Sequence, residues 1–439
     1  MLSRALLIML LFSAIPLWCQ DNGSAATAAD DSQMATPPPV SGASYPATYA
    51  GAERSNYLHA GLSFNTQYTD NILGGTNKVS DISYNVWPTI GLDESTSRVH
   101  LSFTYSPGFT FYQRESSLNQ SNQNVGVNFT YRLSPHVTLS LRDNLSKSSN
   151  YFNQPNPLEA TPVPGSAQAP TVAVIAPNAD QLNNTGGGTL AYQFSRSSMV
   201  GFGGNVTNLH YLEPSQVPGL FDSNGFGGSA FYNHRLSKKQ YVGAQYAYQQ
   251  YRAYQGTGAY DTETHTINLF YTLYLKPSIT FSFSGGPQYS VIPQPPLPNL
   301  HHWSPSLSAS FGWQTHHTNI AGGYSRMISG GGGLVGAFHS NIANASVSRQ
   351  LAPRWSAGAT GAYSIYKDIT PFFFLATPGG HTVSGSATLQ HSFTNRLSAS
   401  LGYTRLHQGY GSIPLVSSNP DTNNEWVSLS YQFARPIGR

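Results

Sequence analysis

The chain alternates apolar and polar residues along most of its length, and this period of two constrains its fold more than any other feature. From Asn56 onward, stretches of about 9–15 residues carry apolar side chains at every second position. In the first stretch the apolar face holds Ala60, Leu62, Phe64 and Tyr68. Such stretches predict β-strands with two different faces. A soluble β-sandwich shows the same alternation, so the pattern alone does not distinguish a sandwich from a membrane barrel.

The connections between these strands alternate strictly between short and long. The short turns lie at residues 93–97, 134–136, 195–198, 237–240, 276–278, 315–318, 352–354 and 394–396. The long connections lie near residues 70–80, 113–123, 146–187, 208–224, 254–262, 292–302, 329–337, 368–380 and 409–424. Outer-membrane barrels have short periplasmic turns and long extracellular loops. The sequence therefore predicts an all-β, transmembrane, antiparallel up-and-down β-barrel of about 18 strands, with both chain ends periplasmic.

Composition supports a membrane barrel over other classes. Only 9% of the 439 residues are charged, against about 25% in soluble proteins. Mean hydropathy is nevertheless −0.28. The one long apolar run, residues 5–18, is interrupted by Ser13 and Pro16 and falls short of the roughly 20 residues of a spanning helix. These features exclude helical membrane proteins, soluble all-helical proteins and nucleic-acid-binding proteins, and the single cysteine, Cys19, excludes a disulfide framework.

The N-terminal region predicts export. Arg4 and the apolar residues 5–15 are typical of a signal peptide, assigned to residues 1–19. Cleavage after Cys19, after Gln20 or at later small residues stays open, and the bulky Trp18 argues against lipidation of Cys19. Residues 20–55 are rich in Pro, Ala and Ser, which predicts a flexible periplasmic segment. A plug inside the barrel is the alternative. The barrel itself spans residues 56–433, and residues 434–439 form a tail.

Three hairpins resemble one another, with an aromatic residue or Leu before a polar turn: residues 131–139, 192–200 and 390–398. The last strand ends on alternating apolar residues up to Phe433, similar to the signal by which the barrel-assembly machinery recognises its clients. The entry strand, residues 58–72, ends in a Tyr-x-Asp-Asn motif. This strand and the hairpins resemble the outer-membrane family called beta-barrel porin 2. The resemblance implies a barrel fold and an association with envelope or exopolysaccharide export.

The inward face of the predicted barrel is mostly small and neutral. Residues expected to line a pore are Arg98, Arg132, Arg142, Arg235, Ser284, Gln288, Ser308, Ser386, Gln390 and Ser400. A barrel of about 18 strands has a lumen wide enough for water. We therefore predict a passive, porin-like channel for small neutral hydrophilic solutes. The alternatives are a non-catalytic component of an export or assembly system and a structural barrel whose hydroxyls select nothing.

A few charges fall in the lipid-facing register: Asp143, Arg326, Arg349, Lys367 and Arg405. Each is predicted to lie near a strand end, where the cost of exposure to lipid falls to about 0–1 kcal/mol. Arg326, Lys367 and Arg405 are expected at the extracellular rim, where they would bind lipopolysaccharide phosphates or extend into the headgroup layer. The expected partners are therefore outer-membrane lipid, lipopolysaccharide and the barrel-assembly machinery. A periplasmic partner is unknown, and no nucleic acid is expected.

No motif predicts an enzyme, a cofactor or a metal site. The triplet 339–341 reads His-Ser-Asn, but adjacent strand residues point to opposite faces. The pairs His301-His302 and His316-His317 are expected in a loop and a turn, without a third ligand. The glycine run 330–333 precedes no helix, so it does not predict phosphate binding.

The longest connection, residues 146–187, is predicted to fold into or over the pore. It carries few charges, among them Glu159 and Asp180, and an apolar run at residues 171–176. Burying that run would remove apolar surface from water. The third loop constricts general porins, and this loop resembles theirs in order and size. A mobile surface loop is the alternative.

The alternation generates a first prediction about the purified mature chain. Because the strands close into one cooperative unit, the folded chain in detergent should migrate differently on electrophoresis before and after boiling. Circular dichroism should show a β-rich spectrum. A helix-dominated spectrum would exclude a barrel over residues 56–433.

Overall fold

The computed structural model describes residues 56–436 except 76, 150–178, 256–257, 277, 295–296, 332, 370–378 and 412–419. The predicted signal peptide, the segment 20–55, Glu159 and the end of the tail lie outside the described residues. The strands are β1 (Tyr57–Thr69), β2 (Asp81–Ser95), β3 (Val99–Tyr112), β4 (Gln120–Arg132), β5 (Val137–Ser148), β6 (Gln181–Ser195), β7 (Ser198–Tyr211), β8 (Ser223–Ser237), β9 (Gln240–Gln255), β10 (Gly258–Lys276), β11 (Ile279–Gln294), β12 (Leu297–Gln314), β13 (Thr318–Gly331), β14 (Leu334–Ala352), β15 (Trp355–Asp368), β16 (Gly380–Ser392), β17 (Leu397–Tyr410) and β18 (Asp421–Pro436).

These 18 strands form one closed antiparallel barrel. Each strand pairs with its neighbours in sequence, and β1 closes the ring on β18 from Tyr57↔Pro436 to Thr69↔Asn424. Closure removes the sheet edges, whose free N–H and C=O groups could not be solvated in lipid. The predicted fold class and strand number are confirmed.

The two faces of the strands follow the predicted register. On β1, Leu62 and Phe64 point outward and are 52% and 47% exposed, while Ser63 and Asn65 point inward and are buried. The outer surface therefore carries an apolar belt. Aromatic rings lie at its two borders, for example the Tyr192, Phe194 and Tyr232 group on the periplasmic side and Tyr289 with Trp303 on the extracellular side. Such belts and aromatic girdles match the hydrocarbon core and the two interfaces of a membrane.

Helices contribute almost nothing to the described structure. Two single-turn 3₁₀ helices, Ser116–Leu118 and Pro214–Gln216, lie in extracellular connections. Within the described ranges, no helix is long and apolar enough to cross a membrane.

The eight short turns lie where they were predicted, but three of the long loops do not exist as loops. β9 and β10 are separated by residues 256–257, β11 and β12 by 295–296, and β13 and β14 by 332–333. The strands flanking these connections have 14 to 19 residues. They extend beyond the 9–11 residues that cross a membrane. The sequence predicts loops here because the outward side chains of these extensions become polar above the lipid.

One lipid-face charge lies deeper than predicted. Asp143 points outward at the middle of β5 rather than near its end. Its carboxylate lies over Gly186 of β6 and accepts a hydrogen bond from the Asn184 amide at 3.5 Å. The sequence predicts Asp143 near a strand end because the polar residues at the end of β5 resemble the start of the long connection 146–187. The Asn184 amide thus gives this carboxylate a polar partner, and the missing side chain at Gly186 leaves room for it.

Large inward side chains pack against glycines of neighbouring strands. The Trp87 indole lies flat over Gly108, where an added Cβ would meet ring carbons at 2.4 Å. Trp426 covers Gly402 in the same way. Both indoles are almost fully buried. A glycine has no side chain to pack within the sheet, and the ring that covers it supplies that packing instead.

This packing generates a prediction with a matched control. Gly108→Ala places a methyl group inside the Trp87 ring volume, so it should lower the free energy of unfolding by about 1–3 kcal/mol. Gly312→Ala should change it by less than about 0.5 kcal/mol, because an added Cβ there meets no atom within 4 Å. Urea unfolding in lipid vesicles measures both values. Equal effects of the two substitutions would contradict the proposed role of the indole.

Candidate functional site

The residues predicted to line a pore occupy three kinds of position. Arg98 lies in the exposed turn between β2 and β3. Arg132 and Arg235 lie in the inward register near the periplasmic ends of β4 and β8. Arg142 lies in the inward register at the middle of β5, opposite Asn128 of β4 and Gly187 of β6. Arg142 is therefore the predicted arginine that reaches the lumen at mid-depth.

The neutral members of the predicted set share the inward register. They are Ser284, Gln288, Ser308, Ser386, Gln390 and Ser400. Inward hydroxyls bond across the strands, as Thr360 does with Ser386 at 2.7 Å and Thr272 with Ser282 at 2.9 Å. Such hydroxyls can both donate and accept hydrogen bonds. The wall they form is polar without being charged.

An amide bridge crosses the inner wall above a glycine. Asn205 of β7 and Gln249 of β9 exchange hydrogen bonds of 2.9 and 3.3 Å. The strand between them presents Gly227, and a Cβ there would meet the Gln249 amide at 2.5 Å. The absence of a side chain at Gly227 allows the two amides to meet over β8.

Inward aromatic residues were missed by the sequence reasoning, which expected mostly small side chains. Near the periplasmic ends of β7–β10, Met199 and Tyr241 are buried and pack with Phe231 and Tyr274. The Tyr241 and Tyr274 rings meet edge to face at 5.7 Å. Phe231 covers Gly201, its cross-strand partner. A glycine directly opposite an aromatic residue would have indicated this packing, but such a pair is recognisable only when the register between the two strands is known.

The hydrogen-bonded ladder between β12 and β13 ends well before the extracellular ends of the two strands. Their ladder runs only from Gln314↔Asn319 to Leu307↔Arg326. Above that point, residues 297–306 of β12 pair only with β11, and residues 327–331 of β13 pair only with β14. We call this opening the β12–β13 seam. Pro305, which has no N–H to donate, lies two residues above Leu307.

The strands beyond the seam fold into the lumen. We call residues 327–331 of β13 and 334–339 of β14 the inner hairpin. The Ile328 N–H donates to Gln288 Oε1 at 2.8 Å, and Gln288 points inward from β11. Ile328 and Ala337 are buried with Ile292 of β11. The side of the hairpin that would have faced lipid therefore packs on the inner face of β11 and β12.

The inner hairpin meets the connection between β7 and β8 across the extracellular mouth. The Phe221 N–H donates to the Gly333 carbonyl at 2.7 Å. Gly333 has a φ of 102°, which favours glycine. Buried apolar residues join the two segments to the wall, and we call them the mouth cluster: Ala179, Leu209, Tyr211, Val217, Leu220, Leu334, Phe338, Tyr366 and Tyr410. Leu209 and Tyr211 belong to β7 and Tyr410 to β17, two strands on nearly opposite sides of the 18-strand ring, so this cluster spans the mouth.

The predicted constriction loop is only partly described. Glu159 and residues 171–176 lie outside the described residues. Asp180, at the C-terminal end of the loop, forms an ion pair with Lys147 at 3.3 Å and bonds to the Ser149 hydroxyl. The constriction observed among described residues comes from the inner hairpin and the mouth cluster, to which this loop contributes Ala179. The sequence did not predict the inner hairpin.

The three predicted rim cations have different surroundings. Arg405 pairs with Asp421 at 3.0 Å. Asp421 also pairs with Lys78 at 3.4 Å, and Lys78 lies 3.6 Å from Asp70. Arg326 and Lys367, in contrast, lie beside His339.

The histidine pair 301–302 lies in β12 and not in a loop, which corrects the prediction. His302 points inward, and its Nε2 lies 3.0 Å from Nε2 of His339. Over the described part of the chain, no group of three or more His, Cys, Asp or Glu side chains is arranged to hold a metal ion.

The position of the inner hairpin generates a prediction. Gln288→Ala removes the acceptor of the Ile328 N–H, a hydrogen bond that contributes about 1 kcal/mol. Hydrogen exchange at the Ile328 amide should therefore accelerate about fivefold. Ser284→Ala, four residues away on the same face of β11, should leave the rate unchanged. An unchanged rate in Gln288→Ala would mean that another group holds the hairpin.

Comparison with known proteins finds solved structures that are distant from this chain in sequence. No known family matches the sequence, so the resemblance to beta-barrel porin 2 is not confirmed, and no curated protein matches it. OpdK of Pseudomonas aeruginosa, solved with vanillate, is 11% identical, with 86% of this chain and 99% of OpdK covered and a TM-score of 0.41. OccAB4 of Acinetobacter baumannii is 9% identical, with 87% and 99% covered and a TM-score of 0.41.

The barrel's own features give its cellular location. A closed antiparallel barrel with an apolar outer belt, two aromatic girdles and a polar inner face is the architecture of bacterial outer-membrane proteins. The chain is an outer-membrane β-barrel.

Proposed function

We propose that this barrel is a passive outer-membrane channel for small neutral hydrophilic solutes. The observation that carries the proposal is the inner face of a closed 18-strand barrel, which is mostly polar and carries few charges. Barrels of 16–18 strands leave an aqueous channel. Hydroxyls and amides provide donors and acceptors for water and for solutes such as sugars, and their low charge opposes strong ion selectivity.

The constriction at the extracellular mouth sets the expected size of the current. The inner hairpin and the mouth cluster occupy part of the cross-section with apolar and aromatic side chains. A solute entering from outside must pass beside them. We therefore expect a narrow channel with smaller conductance than an unobstructed barrel of the same strand number.

Transport by the purified chain tests the proposal directly. In planar bilayers the chain should give discrete conductance steps with a reversal potential close to zero in a salt gradient. Proteoliposomes should swell in isosmotic solutions of small sugars. Silence in both assays, with a barrel that remains heat-modifiable, would contradict a passive channel and favour an export component or a structural barrel.

Shortening the inner hairpin generates a specific prediction. Residues 328–339 are replaced by Asn-Gly, which joins Met327 to its ladder partner Ser340 through a two-residue turn. Because this change removes the segment that crosses the lumen, single-channel conductance should rise severalfold. Unchanged conductance in an assembled barrel would show that the hairpin does not limit the current.

Deletion of residues 155–178 is the companion variant. The sequence predicts that it also raises conductance, because an apolar loop of this length favours burial in or over the pore. If only the hairpin variant conducts more, the constriction belongs to the inner hairpin alone.

A further inference from the structure

At the β12–β13 seam the two strands are not joined by ladder pairs, and the inner hairpin lies on the lumen side. Beside it, on the outer surface of β11 and β12, lies a shallow apolar depression lined by Gly286, Pro287, Trp303, Ser304 and Pro305. Trp303 is 67% exposed. The prolines lie directly opposite each other in the ladder, where neither can donate a backbone hydrogen bond. The wall therefore presents an apolar surface at a place where its hydrogen bonding is weakest.

Cationic side chains gather at the same seam. Arg326 is the last residue of β13 that pairs with β12. His339 of β14 lies opposite Lys367 of β15 in the ladder, and its ring lies 3.0 Å from His302 of β12. The groups whose charge acts on His339 are His302, Arg326 and Lys367, all of them basic. This cluster would favour a negatively charged group.

One donor in the cluster is left without a protein acceptor. Nε of Arg326 is buried and has no hydrogen-bond partner among the described residues. A buried guanidinium N–H is costly unless it meets an acceptor. Arg405, the comparable outward cation on β17, forms an ion pair with the Asp421 carboxylate. Arg326 Nε is therefore a donor that an acceptor from outside the chain would satisfy.

We propose that the β12–β13 seam is a lateral binding site for a single-chain anionic amphiphile of the outer leaflet. Arg326, Lys367 and His339 hold its carboxylate or similar head, and Trp303 with the facing prolines carries its alkyl chain. The inner hairpin, which fills the lumen side of the seam with Ile328 and Ala337, separates this site from the polar lumen. The site thus gives the barrel a second class of ligand, reached from the membrane and independent of axial conduction.

Photolabelling in defined membranes tests the site. The full mature chain is placed in nanodiscs of phosphatidylcholine with dodecanoate that carries a diazirine at its chain end, and labelled residues are mapped by mass spectrometry. Label should concentrate on residues 300–306 and 326–328. Arg326→Gln combined with Lys367→Gln should reduce it about tenfold. Arg349→Gln, which neutralises an outward cation at the other end of β14, should leave it unchanged.

Three results would overturn the proposal, provided that each variant remains heat-modifiable. One is label spread evenly over the lipid face. Another is equal labelling of the double variant and the Arg349→Gln control. The third is complete displacement of dodecanoate by lipopolysaccharide in a parallel set of nanodiscs, which would assign the cations to a resident lipid. Bilayer conductance of the same variants reports on the axial channel separately, so the two proposals can fail independently.

Discussion

Backbone hydrogen bonding in an apolar solvent is the constraint on which the rest of this structure depends. Lipid offers no partner for an N–H or C=O group, so every strand must be paired on both sides. The ladder between β1 and β18 meets this requirement by closing the ring. The short ladder at the β12–β13 seam is the exception, and a side chain on the inner face replaces one of its missing hydrogen bonds. There Gln288 accepts the Ile328 N–H that the parted ladder leaves free.

Glycine determines how the inner wall accommodates large side chains. Trp87, Trp426 and Phe231 each lie over a glycine of a neighbouring strand. Where no ring covers the glycine, side chains from two strands can meet above it, as Asn205 and Gln249 do over Gly227. The lumen is therefore narrowed in places by packed aromatic rings and amide bridges, while hydroxyls line the rest.

The charged side chains near the extracellular rim form two groups with different surroundings. The network of Asp70, Lys78, Asp421 and Arg405 connects the β1–β2 connection to β17 and β18 beside the closure point. Exposed pairs of this kind contribute about 0–1 kcal/mol each, so the ladder and not the network closes the barrel. At the β12–β13 seam, the charged groups that act on His339 are all basic. Their proximity to a break in the wall distinguishes them from the other rim residues.

The sequence by itself determined the barrel, its strand number, its two faces and its periplasmic turns. These follow from local rules: side chains alternate along a strand, and turn lengths sort by membrane side. The inward register of Ser284, Gln288 and Ser400 was predictable for the same reason. The extent of the strands above the lipid was not, because polar strand extensions and loops have similar composition. The tertiary structure alone decided the β12–β13 seam, the inner hairpin and the mouth cluster. The seam and the hairpin depend on where the ladder between two neighbouring strands ends, and the mouth cluster brings together strands distant in the ring. No local periodicity records either kind of contact.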